Sequence, residues 1–140
     1  MNEQVLIRVM VQLLVPFIFL FGVYVIMHGE LGPGGGFQGG VILAAGYILY
    51  ALVHGTDAGK RAFPTRLSDA LNSVGVLIYG GVGMATVLLG GAYLDYDMLN
   101  PADPPAGQTL GIILVEIGVG ITVSAVMITL FNELARAVRR

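Results

Sequence analysis

Cysteine is absent from this 140-residue chain, which excludes disulfides, thiolate nucleophiles and cysteine-ligated zinc or iron–sulfur centres. Any redox chemistry associated with the chain therefore belongs to partners. Histidine is nearly absent: His28 and His54 lie on opposite sides of an apolar run, so no imidazole metal site is expected within the chain. Charge is scarce as well. Only 11% of the residues are charged, against about 25% in an ordinary soluble domain, and long stretches offer nothing polar to face water. A chain solvated by lipid is expected, with no cofactor, no metal and no nucleic-acid partner.

What is present is apolar, 56% of the residues, gathered into four runs at about 5–28, 36–54, 70–94 and 109–132. The first is interrupted only by Arg8, Gln12 and Pro16; at about 34 Å as a helix it crosses a hydrocarbon core of ~30 Å. It is too long for a cleaved signal peptide and ends in Met27-His28-Gly29-Glu30, so it is read as a retained helix. Pro16 should kink it, which a bilayer tolerates when neighbours satisfy the freed carbonyl. The second run is the shortest and reaches a span's length only by starting within the glycines that precede it. Together the runs predict an all-α integral membrane protein, one membrane domain over residues 1–140 with four transmembrane helices.

Basic residues set the orientation. Arg8, Lys60, Arg61, Arg66, Arg136, Arg139 and Arg140 fall at the N-terminus, in the loop between the second and third runs, and in the C-terminal tail. The other two loops carry none, and the later one carries Asp95, Asp97 and Asp103. By the positive-inside rule the N- and C-termini and the middle loop are cytoplasmic and the acidic loop faces out. Lys60, Arg61, Arg66, Arg136, Arg139 and Arg140 are thus topology residues, compatible with contacts to anionic headgroups.

Glycine is abundant, with 21 residues, many of them inside the predicted spans. In lipid, stripes of small residues let helix backbones approach closely. Gly36, Gly40 and Ala44 form one such stripe on the second helix; Gly80, Gly83 and Gly90, with Gly81 and Gly91 beside them, suggest another on the third. Such notched helices, in a chain lacking a ligand-sized polar cluster or an internal repeat, suggest a subunit of a larger membrane assembly.

Glu116 is the acidic residue that lies well inside a predicted span, flanked by Val115 and Ile117. A charged group at a helix centre costs roughly +2.5 to +3.5 kcal/mol on insertion scales, so it should be paired, hydrated or protonated. Two roles stand open for it: conducting protons or sodium, or a structural hydrogen bond between subunits. His28 likewise reads either as a proton shuttle titrating near physiological pH or as an interfacial helix cap.

The segment from His28 to Gly40, His-Gly-Glu-Leu-Gly-Pro-Gly-Gly-Gly-Phe-Gln-Gly-Gly, is the most distinctive in the chain. Gly34, Gly36 and Gly39 formally match the dinucleotide fingerprint, but that motif requires a preceding strand, and here a membrane helix precedes it. Pro33 fixes φ while Gly34, Gly35, Gly36, Gly39 and Gly40 permit a tight re-entry turn, carrying Phe37 and Gln38 at the start of the second helix. Free amides at that helix start could also face an anion or a partner carbonyl.

The run Gly-Pro-Gly-Gly-Gly-Phe-Gln-Gly-Gly-Val-Ile after a helix ending in His28-Gly29 resembles the signature of the B subunit of Mrp-type multisubunit sodium/proton antiporters. Length, span count and the order of features resemble that family over nearly the whole chain. The resemblance implies an accessory, multi-pass subunit of the cell membrane, without a catalytic centre of its own, packed beside large antiporter-like subunits similar to those of respiratory complex I. The same small-subunit module occurs in membrane-bound hydrogenases and related ion-pumping complexes, and that setting is the alternative. A third reading, from another class, is an autonomous channel made of identical copies.

Overall fold

The structure is a computed structural model that describes residues 2–139, with side chains over residues 4–139. Arg140 therefore lies outside the described residues. Helix α1 runs over Asn2–Met27, α2 over Gly36–His54, a short α3 over Thr56–Ala62, α4 over Thr65–Leu88 and α5 over Pro104–Val138; a single 3-10 turn covers Tyr96–Leu99. No strand occurs among the described residues. Four helices, α1, α2, α4 and α5, are long and apolar enough to cross a membrane.

The ends of α4 and α5 differ from the sequence expectation. Helix α4 begins at Thr65 rather than near 70, directly after Pro64, whose extended backbone at φ −60° and ψ 144° delivers the chain into the helix. It stops at Leu88 rather than near 94. Gly90 there takes φ +95°, the Gly90 N–H donates to the Val87 carbonyl and the Gly91 N–H to the Thr86 carbonyl, which is the Schellman arrangement that closes a helix. Thr86 holds the departing chain through a 3.0 Å bond from the Leu94 N–H to its hydroxyl. Helix α5 starts at Pro104, where a missing N–H costs nothing in the first turn, and continues to Val138, beyond the expected 132.

The four spans pack as a row, in the order α1, α2, α5, α4, and α1 makes no substantial contact with α4. Helices α2 and α5 are the inner members, and α2 carries two faces of small residues. Gly36, Gly40 and Ala44 are all buried, and a Cβ on Gly40 would come 2.8 Å from the Gly120 carbonyl oxygen of α5. On its other face, Gly39 would meet the Gly22 carbonyl of α1 at 2.7 Å, and Gly46 packs on Phe19. Backbones this close gain dispersion contacts that bulkier side chains would forbid.

Within this chain the second expected stripe is not buried against another helix. A side chain at Gly80 or Gly81 would meet nothing within 4 Å, Gly83 packs against Tyr93 of the following loop, and Gly90 and Gly91 belong to the helix-closing turn. Helix α4 instead meets α5 through Gly75, where a Cβ would come 2.6 Å from the Gly118 carbonyl oxygen. Along the same seam the Thr129 hydroxyl lies 3.2 Å from that of the buried Ser68.

The core is small. Ala44, Tyr47, Ala51 and Ile128 cluster at the α2–α5 contact, with Phe63 and Phe131 packed edge-on against Tyr47. Large apolar side chains such as Leu6, Phe17, Leu20 and Leu77 are exposed. In water that surface would be ruinous; with acyl chains or neighbouring helices around it, it is solvated.

Contacts also sort the chain's ends. At one end of the row Gln12 lies 3.2 Å from His54, and Arg139 lies 3.3 Å from Asp57. The opposite end holds the pairs Thr109–Glu30 at 2.6 Å and Gln108–Asp97 at 2.8 Å. The tail and the α2–α4 loop thus share one end, and the turn after α1 and the loop after α4 share the other.

Candidate functional site

The site is built where the turn between α1 and α2 folds against α5. The chain leaves α1 at Met27, and the Leu31 and Gly32 N–H groups both donate to the His28 carbonyl. It then returns sharply: the Gly35 N–H donates to the Val25 carbonyl at 3.1 Å, giving a partner to one of the carbonyls that a helix end leaves free. Gly35 has φ +130°, a region that L side chains rarely adopt. One residue later α2 begins, and the Gly39 N–H donates to the Gly35 carbonyl at 3.0 Å.

Glu116 comes into this turn from α5. Its carboxylate fills the space that a Cβ on Gly29 would need, its backbone carbonyl does the same at Gly36, and Oε1 lies 3.0 Å from the position of a Cβ on Gly35. The Gln38 Oε1 approaches the same position at 3.3 Å. Gly29, Gly35 and Gly36 are therefore glycines because a carboxylate and the α5 backbone occupy the room their side chains would take. Among the described residues no protein group donates a hydrogen bond to the Glu116 carboxylate, and it makes no salt bridge.

Two influences act on that carboxylate. The first turn of α2 carries amides with no intrahelical acceptor and the positive end of the helix dipole, which favour a negative charge. Glu30 is close enough to act on it as a like charge. Glu30 itself accepts the Thr109 hydroxyl hydrogen bond from α5, so both acids are tied to the same pair of elements. A half-buried carboxylate with a second acid outward of it, at the mouth of a helix junction, can exchange a proton or hold a cation in transit.

Twelve residues of α5 precede Glu116, because the helix starts at Pro104, and Glu116 lies level with the first turn of α2.

The remaining expected residues take distinct places. His28 is half-buried, stacks on Tyr24 with ring centroids 5.0 Å apart, and turns Nε2 toward Gly32. It flanks Gly29, and among the described residues no hydrogen bond joins it to Glu116. Pro33 is exposed at the tip, and Gly34 packs on the Val25 carbonyl. Phe37 is exposed and Gln38 is accessible beside the carboxylate, whereas Gly39 and Gly40 are spent on helix packing. Lys60, Arg61 and Arg66 lie at the opposite end, around α3 and the first turn of α4. Arg136 pairs with Glu133 at 4.0 Å and Arg139 with Asp57 at 3.3 Å.

Sequence reasoning missed Gly29 as a cradle position, the Thr109–Glu30 bond and the Tyr47–Asn132 pair. None of the three left a local signal, because each joins residues of different elements that meet only through the order of the helices.

A family profile describing a domain related to the MnhB subunit of Na+/H+ antiporter matches residues 6–129. The chain belongs to the MnhB family. Among MnhB-like relatives, the B subunit of the Na(+)/H(+) antiporter of Alkalihalophilus pseudofirmus is 30% identical over 131 residues, covering 87% of this chain and 90% of that protein. A putative antiporter subunit mnhB2 of Staphylococcus haemolyticus is 29% identical over 136 residues, covering 96% of both. An uncharacterized protein of Methanocaldococcus jannaschii is 35% identical over 111 residues, 74% of this chain; the match spans only 42% of that longer protein. The part matched by the MnhB profile holds the glycine turn, Glu30, Thr109 and Glu116 together.

Proposed function

We propose that this protein is an accessory membrane subunit of a multisubunit Na+/H+ antiporter, carrying no catalytic centre of its own. The observation that carries the reading is the closure of the glycine turn on Glu116 within the segment matched by the MnhB family. In this reading the row of helices is one membrane domain whose broad apolar faces are covered by other membrane subunits, including antiporter-like ones of the complex I type. Glu116, with Glu30 outward of it, relays protons or sodium at the outer edge of an ion path; His28 contributes from the flank of the turn. Both ends of the chain and the loop with Lys60, Arg61 and Arg66 face the cytoplasm at the cell membrane, by the distribution of basic residues.

Purification tests the assembly. A tagged full-length chain drawn from its native membrane in mild detergent should bring down larger, different membrane subunits in fixed ratio. Recovery of a pure homo-oligomer that conducts ions alone in liposomes would contradict the proposal.

A further inference from the structure

On one side of the row, residues of all four spans line an open apolar cleft of about 620 Å³. The cleft runs from Ala62 and Phe63, past Tyr50 and Tyr47, to Leu43 and Phe19. From Tyr50 to Leu43 is seven residues of α2, about 10 Å along the helix axis. Half of a ~30 Å hydrocarbon core is ~15 Å, so the cleft extends over much of one leaflet.

Its mouth is basic. Lys60 and Arg61 immediately precede Ala62 and Phe63, and Arg66 stands on the first turn of α4, whose Leu71 forms part of the wall. Nearby acids leave these cations free. Asp57 is engaged by Arg139, Asp69 forms no salt bridge with Arg66, and the Arg61 Nε–H goes to the Asp57 carbonyl at 3.3 Å. Among the described residues none of the three makes a salt bridge.

We propose that this cleft is a binding site for an anionic diacyl phospholipid, its phosphate held by Lys60, Arg61 and Arg66 and one acyl chain lying in the cleft. Cations without salt-bridge partners, next in the chain to residues that line an apolar trough of about leaflet depth, offer chemistry for both halves of such a molecule. A purely apolar partner helix would fill the trough but offer nothing to the three charges, whereas an anionic lipid answers both. The proposal does not depend on the role of Glu116, which lies at the other end of the row.

The test uses the full-length chain in its purified assembly, equilibrated with equimolar phosphatidylglycerol and phosphatidylcholine, with retained lipid counted by native mass spectrometry. Phosphatidylglycerol should be retained over phosphatidylcholine by about tenfold or more. The combined Lys60→Gln, Arg61→Gln and Arg66→Gln variant should lose that preference, and Lys60→Arg, Arg61→Lys and Arg66→Lys should keep it. Ala62→Phe, which plugs the mouth, should lower retention of both lipids. Equal retention in the wild type, or a preference that survives removal of the charges, overturns the site. Photo-crosslinking from benzoylphenylalanine at position 63 decides the occupant independently: a lipid adduct supports the proposal, and an adduct to another subunit, to a second copy, or no lipid adduct overturns it.

Discussion

The Tyr47 hydroxyl donates a 3.1 Å hydrogen bond to Asn132 Oδ1 across the α2–α5 contact, and both side chains are almost wholly buried. Among the described residues the Asn132 amide nitrogen has no partner of its own, so this bond is what compensates a buried primary amide. Tyr47→Phe strips Asn132 of its one bond while keeping the ring against Phe63 and Phe131. A loss of about 1–2 kcal/mol is expected, above the usual value for an interhelical bond in a membrane because a buried amide is left unpaired. Unfolding in mixed micelles, compared with wild type, measures it.

Glycines with different surroundings should respond oppositely to alanine. Gly36→Ala forces a methyl group into the α5 backbone at Glu116 and should destabilise by roughly 1–3 kcal/mol, the scale of overpacking. Gly80→Ala and Gly81→Ala meet open space and should be neutral or stabilising by up to ~1 kcal/mol, the helix preference of alanine. The same unfolding assay on all three separates them. A large loss at Gly80 would return that face to a packing role.

Because the chain has no cysteine, single-cysteine topology mapping needs no prior substitutions. Thr56→Cys, beside α3, and Asp97→Cys, in the 3-10 turn, lie at opposite ends of the row. In right-side-out vesicles an impermeant maleimide should label position 97 and spare position 56, with the pattern reversed in everted vesicles. Equal labelling of both from one side would break the four-span topology.

Tyr96 gives the outer loop an alkaline limit. Burial, then the nearby phenols of Tyr79 and Tyr93, raise its pKa above the ordinary value of 10.0. The folded state therefore holds the phenolic proton more tightly than the unfolded state does. Stability is full below about pH 10 and declines as pH rises through the raised value. Gly111 packs on the Tyr96 ring, so ionisation should loosen the loop from α5. Proteolysis of the loop should accelerate above about pH 10 in the wild type, and Tyr96→Phe should remove that acceleration.

The spans were legible because a bilayer demands about 20 consecutive apolar residues, and such runs cannot be mistaken at this charge density. Their ends were less so: Pro64 and Gly90 move both ends of α4 toward the N-terminus through backbone geometry that hydropathy does not register. Small-residue spacing located the α2 face at Gly36, Gly40 and Ala44, while within this chain α4 meets α5 through Gly75 and not through Gly80 or Gly83. Spacing says that a face is notched, not which helix lies opposite. Glu116 stood out as an acid within an apolar run. Its cradle did not, since Gly29 and Glu116 meet only through the order of helices in the row, and nothing local to either encodes that order.

Antiport itself tests the role of Glu116 most directly. In everted vesicles containing the complete complex, Na+-dependent dissipation of an imposed pH gradient should fall to a small fraction of wild type in Glu116→Gln, with subunit ratios in the purified complex unchanged. Transport at the wild-type rate in a normally assembled Glu116→Gln complex would contradict an ion-path role and leave the carboxylate a structural filling of the glycine turn.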